Sequence, residues 1–389
     1  MESNLNVEVV TDQSQLGSLE PWWKEAASNP ETHPDYIKNL LTFRDSVISP
    51  YIVVVRRGQS IETMLIARLE DDCIESKIGN YAIFRKKARL INIAYRGLIG
   101  TQDDQSILAI LRKIDEDLEI GVADFAVFTQ LREESISAKA LNEMSDASLR
   151  IANLGPSVHH LFKIPDTPEN VLGRRSGSHR KKSSYYRRKA EREIANMEIV
   201  EAGTAEQLDQ YLPEMDALAE MTYQRAIGAG FRLNAESRGL IDIGLKHRWI
   251  RVWLLNGDDG LRAFAMGLNY AGTFNYFTPA YDPNYSRFGL GSILLIHILE
   301  QLSKDQSIEY FDFGFGDADY KKGFSTTHWI ERTRIRCARR ISPTISLQCL
   351  KMVMIMDSTT RKFLEETGLK TRVRRMLRGF DRWRNSQSQ

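Results

Sequence analysis

The chain has 389 residues, 42% of them hydrophobic and 27% charged, with a formal net charge of +2. That is the balance of an ordinary globular protein with room for two or three domains. No run approaches the ~18 apolar residues of a membrane span, the start of the chain carries Glu2 and Glu8 and no apolar signal-peptide core, and Cys73, Cys337 and Cys349 lack metal-ligand or disulfide spacing. These features read as a cytoplasmic protein of a reducing compartment, with no metal. Charge is unevenly placed, however. Residues 174–192 hold nine Lys or Arg against Glu191, and residues 370–384 hold seven against Asp381, which leaves 37 basic and 49 acidic residues for the body. Two basic segments on an acidic body point to anionic partners or to two solvated helices.

In chain order, Tyr51 to Val55 predicts a strand, Arg57 to Ser60 a turn, and Ile61 to Leu69 a second strand. Ile107, Leu111, Ile114 and Leu118 keep helical spacing, and Asp124 to Thr129 reads as a further strand. The second half repeats the series: strand Ile250 to Leu254, turn Asn256 to Gly260, strand Leu261 to Asn269, apolar helix Ile293 to Leu302 and strand Tyr310 to Gly314. A shift of roughly 190 to 200 residues is too long for a solenoid and fits a duplicated domain. The first copy lacks the chemistry of the second. Its turn, Gly97 to Thr101, is followed by Gln102, Asp103 and Asp104, acids that would repel a diphosphate at the helix start.

Between the copies, Gly173 to Lys189 is basic and carries Tyr185 and Tyr186. Such a segment could grip a nucleic-acid backbone and stack bases. Equally, it reads as an interdomain helix whose basic face is solvated.

The most informative stretch runs from Thr278 to Phe324. The turn Ser286 to Gly291 leads straight into an apolar helix, and glycines there let the backbone approach an anion held by the free N–H groups of the helix start. The strand Tyr310 to Gly314 alternates so that Phe311 and Phe313 share one face and Asp312 the other. A carboxylate in so apolar a strand must be paired, bonded or functional. After it come Gly316 and then Tyr320, Lys321, Lys322, Gly323 and Phe324. His297, inside the apolar helix, reads as a satisfied core histidine.

These residues resemble the coenzyme A core of the GNAT acyltransferase superfamily. Tyr281 and Asp282 before the turn, Asp312, Phe313 and Gly314, then Gly316, Tyr320 and Lys321, are similar to the CelD-type branch of FemAB-like acetyltransferases, a branch associated with polysaccharide and cell-envelope synthesis. The resemblance is most specific over residues 273–324 and continuous, if looser, from Arg174 onward. It implies an α/β protein of two tandem GNAT-like domains with mixed, mostly antiparallel sheets in the FemAB-like arrangement. It further implies acetyl-CoA or a longer acyl-CoA as co-substrate, held by Arg287, Gly289, Leu290, Gly291 and Ser292. Tyr320 falls where a superfamily tyrosine protonates the departing thiolate, with Asp312 or Asp282 as base or amine-binding carboxylate. Lys321, Tyr281, Gly314 and Gly316 fall to the substrate, and Arg180, Arg187 and Arg188 to its phosphates. One departure is that Ser286 stands where the usual turn has Gln or Arg. FemAB relatives that take an aminoacyl group from transfer RNA share this fold, and the basic segments would suit that donor.

Beyond the core, Thr327 to Ala338 predicts another strand, with His328 and Trp329 near its start, and the chain turns helical from Ser342 and Pro343. The Arg-rich end, with Phe380 and Trp383, reads as a basic helix packed on its own domain or lying on an anionic membrane surface. The expected division is a degenerate amino-terminal domain over 1–165, a basic helix or linker over 166–195, the acyl-CoA domain over 196–342 and a basic helical tail over 343–389. No kinase reading of Asp312, Phe313 and Gly314 survives, since neither a His-Arg-Asp loop nor a G-x-G-x-x-G stretch is present. The expected acceptor is an amine or hydroxyl on a sugar or envelope precursor; the non-enzyme alternative is a degenerate scaffold that binds nucleic acid or membrane through its two basic segments.

Overall fold

The computed structural model describes residues 5–366 apart from Asn80, Arg174, Ile227 and Ala229. In the first half, β1 (Leu5–Val10) leads through α1 (Leu16–Ala26) and α2 (Pro34–Phe43) to the expected hairpin of β2 (Val47–Arg57) and β3 (Ser60–Ile78). Tyr51, Val53 and Val55 face one core and Ile52 and Val54 another, so β2 is buried on both sides. Next come β4 (Tyr81–Gly100), α3 (Asp104–Ile120) and β5 (Phe125–Arg132). The predicted Ile107, Leu111, Ile114 and Leu118 form the buried stripe of α3. Short α4 (Ile136–Glu143), α5 (Ala147–Arg150) and β6 (Ile151–Asn153) precede β7 (Ser157–Lys163).

The second half opens with the basic α6 (Gly177–Glu193), then β8 (Glu198–Ala202), α7 (Ala205–Glu220), α8 (Tyr223–Ala226) and α9 (Ala235–Lys246). The hairpin of β9 (Ile250–Gly257) and β10 (Gly260–Tyr270) follows, then β11 (Thr273–Tyr281), α10 (Leu290–Leu302), β12 (Tyr310–Phe315), α11 (Asp319–Phe324), β13 (Thr327–Cys337) and α12 (Ile341–Glu366). Eight of the residues of α10 are buried, because the sheet covers one side and α6 packs on another. That coverage explains why the helix is apolar almost all round.

Among the described residues all thirteen strands belong to one sheet in the order β1-β2-β3-β4-β5-β13-β7-β12-β11-β10-β9-β8, with β6 beside β13. The order is a palindrome of the duplication: β1 to β5 on one side mirror β8 to β12 on the other. Each half has a single parallel pair, β4 with β5 and β11 with β12, joined by the crossover helices α3 and α10. At the centre the halves exchange strands. β7, from the first half, pairs with β12, while β13, from the second, pairs with β5, and the two pair with each other with Trp329 opposite His159. Neither half therefore completes its own sheet.

Both halves also meet away from the sheet, where Arg44 forks onto Glu236 and His247 Nε2 lies 2.7 Å from Asp35 Oδ2. The three cysteines are free. No described helix is long and apolar enough to cross a membrane. α12 packs on β3 and β4 and leaves Met352 and Ile355 exposed; the basic stretch 370–384, with Phe380 and Trp383, lies outside the described residues.

Candidate active site

The parallel pairing of β11 and β12 covers only Thr273–Asn275 against Tyr310–Asp312. β12 then turns away through Gly314 and Gly316, at φ +67° and +104°, a backbone region that side chains with a Cβ rarely enter. The wedge so opened holds a cavity of about 210 Å³ lined by Tyr95, His159, Asn275, Tyr276, Asp312 and Gly314.

Asp312 is 4% exposed and faces away from Phe311 and Phe313, as the alternation predicts. Its Oδ1 accepts from His159 Nε2 at 2.6 Å and from the Gly314 N–H at 2.7 Å, which leaves Oδ2 to the cavity. The other imidazole nitrogen, Nδ1, lies 3.3 Å from Glu331 Oε2 and 3.2 Å from the Tyr95 hydroxyl. Tyr95 and Trp329 both donate to Glu331 Oε1, at 3.0 and 2.7 Å, and the Trp329 ring stacks on the imidazole at 4.4 Å. Burial works against a charged imidazole here, but the two carboxylates outweigh it and raise the His159 pKa above its ordinary 6.5. Burial equally opposes the Asp312 carboxylate, yet His159, the Gly314 N–H and the Arg96 charge hold it below 3.8. The pair therefore presents an ionised carboxylate, oriented by the imidazole, to the cavity.

Across β12 lies a second cleft, of about 260 Å³, between α6 and α10 and bounded by α11. Arg175, His179, Lys182, Arg187, Ser292 and Tyr320 line it. α10 starts on Gly289 at φ +65° without any side-chain cap, which leaves the N–H groups of Leu290 and Gly291 for a ligand, while the Ser292 N–H donates to the Gly289 carbonyl at 2.9 Å. Tyr186 covers Gly289 and Tyr281 covers Gly291, each 3.4 Å from where a Cβ would stand, so the cleft meets the start of α10 at Ser292. Tyr320 packs edge-on against Phe313, with ring centroids 6.0 Å apart, and burial raises its phenol above the ordinary 10. It keeps its proton at neutral pH. Arg175 stacks over Phe324 at 4.7 Å, in the room that Gly323 leaves. Among the described residues it has no carboxylate within 4.0 Å, and burial lowers its pKa.

Other predicted residues fall elsewhere. Asp282 caps the 3-10 turn after β11, accepting from the Asn284 N–H at 2.9 Å, with Arg262 at 3.7 Å, and lines neither cavity. Tyr281 is exposed at the end of β11 and packs against Gly291; Leu290 is buried, and the exposed Arg287 stacks on Phe288. Lys321 donates to the carbonyls of Phe313 and Phe315, both at 2.7 Å, and so ties down the end of β12. Burial pulls its pKa down to about 8. Arg180 bonds the carbonyls of Gly173 and Arg175, Arg187 pairs with Glu191 in the cleft wall, and Arg188 bonds the Ser184 carbonyl on the outer face of α6. His297 is half-buried in α10.

Sequence reasoning missed His159, Tyr95, Glu331 and Arg175. The signal for His159 was present: two histidines interrupt the strand of Val158, Leu161 and Phe162. The first half shows why it lacks the same chemistry. Asn92 pairs with Val127 where Asn275 pairs with Asp312, and the Asp103 carboxylate itself caps α3, accepting from the Ser106 N–H at 2.8 Å. Among the described residues one other cluster has ligand-like spacing, His33, Asp35 and His247, with donor atoms within 4.8 Å. Lys246 Nζ already lies 3.0 Å from Asp35 Oδ2, and His33 Nδ1 accepts from the Asp35 N–H, so the group reads as a clasp between the halves.

Comparison with known proteins agrees with this geometry. Residues 177–322 match the family model described as an acetyltransferase (GNAT) domain. Among solved structures, FemX is similar with a TM-score of 0.57 at 9% identity, covering 84% of this chain and 96% of FemX. L-PGS from Bacillus licheniformis is similar with a TM-score of 0.50 at 12% identity, covering 89% and 99%. At these identities the likeness is one of fold. No curated protein matches the sequence.

Proposed function

We propose that this chain, a GNAT acyltransferase whose two halves take the FemAB-like arrangement, moves an acetyl or longer acyl group from coenzyme A to an amine or hydroxyl acceptor. The carrying observation is the pair of clefts on either side of β12, one ending at Tyr320 and the other at Asp312. A transfer needs an acid for the leaving group and a base for the nucleophile, reaching one reacting centre from two sides.

The donor cleft fits a thioester of a diphosphate-bearing thiol. Arg175, Lys182, the Gly291 N–H and the Ser292 hydroxyl would hold the anion, with Gly289, Leu290 and Arg287 shaping the turn. The coenzyme supplies an activated acyl carbon and a good leaving group. Tyr320 gives its phenolic proton to the departing sulfur. On the acceptor side, Asp312 Oδ2 takes the proton of the attacking amine or hydroxyl, while the Nε2–H of His159 holds Oδ1. Glu331, Tyr95 and Trp329 fix the imidazole. Lys321 holds Gly314 and Gly316 in the bend that opens the wedge. Asp282 and Tyr281 support the turn rather than the chemistry.

We place the acceptor among sugar or envelope precursors, in polysaccharide synthesis at the cytoplasmic side, by the resemblance to the CelD-type branch. An aminoacyl donor carried by transfer RNA is the second reading, favoured by the exposed Lys181 and Arg188 on the outer face of α6. Calorimetric titration of acetyl-CoA into the intact protein, Gly291→Glu and Tyr320→Phe tests the first. Binding lost in Gly291→Glu and kept in Tyr320→Phe is expected. No binding even at millimolar acetyl-CoA overturns it and makes charged transfer RNA the donor to titrate next.

A further inference from the structure

The first half has its own wedge, and it is not empty of chemistry. β4 and β5 pair in parallel only over Leu90–Ile93 against Phe125–Phe128 and then diverge, as β11 and β12 do. Between them lies a cavity of about 300 Å³. Its floor is apolar: Ile93, Ile107, Ile110, Leu111 and Phe128 line it and are all 5% exposed or less. Its mouth is cationic. Arg96 and Arg132 stand over the Trp329 ring, at 5.8 and 5.2 Å. Arg132 pairs only with the exposed Glu134, and Arg96 has no carboxylate within 4.0 Å among the described residues.

Two further observations mark this wedge as built for a ligand. Arg96 and Gln130, on the two diverging strands, both sit at positive φ, +52° and +47°. Side chains with a Cβ avoid that region, and such strain collects at ligand sites. Gln130 Oε1 is also buried without a hydrogen-bond partner, although it lines the cavity. An orphaned buried acceptor calls for a donor. A coenzyme diphosphate is not the occupant, because Asp103 fills the start of α3 with its own carboxylate and Asp104 follows.

We propose that this cavity binds an anionic amphiphile, a carboxylate or phosphate that carries an N–H or O–H donor beside an acyl chain. The acid meets Arg96 and Arg132, the donor meets Gln130 Oε1, and the chain lies on Ile93, Ile110 and Phe128. The occupant would share a wall with the acyl-transfer site, since Glu331 lines this cavity and bonds His159 on its other side. A molecule seated here therefore touches the carboxylate that positions His159.

N-octanoylglycine is the probe, for it joins a carboxylate, an amide N–H and an acyl chain, and undecanoate is its comparator of equal length without the N–H. Each is titrated calorimetrically into the full chain, into Arg96→Gln, and into Leu111→Trp and Ala94→Phe, which fill the floor from two sides; melting curves show which variants fold. Expected is saturable binding of N-octanoylglycine, weakened about tenfold or more in Arg96→Gln and lost in whichever filled variant folds, with undecanoate the weaker ligand. Absence of binding at millimolar probe overturns the proposal, as does binding that survives Arg96→Gln or a folded filled variant, equal affinity for undecanoate, or displacement by acetyl-CoA. Acetyl-CoA is titrated separately on the same samples, so failure of the donor reading leaves this result standing.

Discussion

His159 Nε2 and Asp312 Oδ1 are 2.6 Å apart although 153 residues separate them. One belongs to β7 of the first half and the other to β12 of the second. The pair exists only because the halves exchange strands, so the proposed acid–base centre is a property of the whole sheet. Duplication alone would have given two wedges. Strand exchange gives one of them a carboxylate backed by an imidazole.

Asp312→Asn removes the group facing the acceptor and keeps its shape. The expected loss in kcat/KM is on the order of 100- to 10,000-fold, with acetyl-CoA affinity unchanged, because the donor cleft lies on the other side of β12. Steady-state kinetics and calorimetry on the same sample check this. A loss of affinity comparable to the loss of rate would count against the assignment.

The raised pKa of His159 fixes a sign for stability. A histidine whose folded pKa exceeds its unfolded value contributes fully below 6.5, and that contribution fades as pH rises through the folded pKa. Activity should climb through the same window, since loss of the imidazolium charge makes the Asp312 carboxylate a stronger base. Glu331→Gln removes one of the two carboxylates and should move both midpoints to lower pH together. Melting curves and pH–rate profiles read them; midpoints that part company would break the link.

Lys321 has the opposite sign. Burial lowers its pKa from 10.5 to about 8, so between those values the unfolded chain holds a proton that the folded chain has released, and stability rises with pH. Lys321→Met should abolish that rise, seen in denaturant titrations at both ends of the window. It should also lower kcat, because the Phe313 and Phe315 carbonyls lose the ammonium that holds the bend of β12. Full activity in Lys321→Met would show the bend to be held by Gly314 and Gly316 alone.

Much of this was legible from local pattern. The hairpins β2–β3 and β9–β10, the stripe of α3 and the Phe311, Asp312, Phe313 alternation depend on neighbours in sequence, and periodicity reads them directly. Asp312 stood out because a carboxylate in an apolar strand is costly. Its partner did not, because His159 comes beside it only through the exchange of β7 and β13, a long-range pairing that no window of sequence contains. Asp282 shows the reverse: Asp282, Pro283 and Asn284 carry the local signal of a side chain capping a turn, and the turn is where its oxygen is used. Arg175 was hidden among eight other basic residues of 174–192, since only packing against Phe324 and Gly323 sets it apart from the solvated face.

That distinction gives a test of which anion α6 was built for. Arg175 faces the cleft without a carboxylate partner among the described residues, whereas Arg188 is exposed on the outer face and bonds only the Ser184 carbonyl. A guanidinium bonded to a phosphate typically contributes about 1.5–3 kcal/mol, so Arg175→Gln should weaken acetyl-CoA binding roughly 10- to 100-fold. Arg188→Gln should leave it unchanged. A polyanion such as transfer RNA would engage the outer face as well and release counterions, so its affinity would fall by about 0.7 to 0.9 log units per log unit of salt for each phosphate contact. A compact diphosphate site makes few such contacts and gives a shallow slope. Calorimetry of both variants across a salt series therefore separates the donors: Arg175 sensitivity with a shallow slope supports coenzyme A, while Arg188 sensitivity with a steep slope for transfer RNA would reassign α6 to nucleic acid.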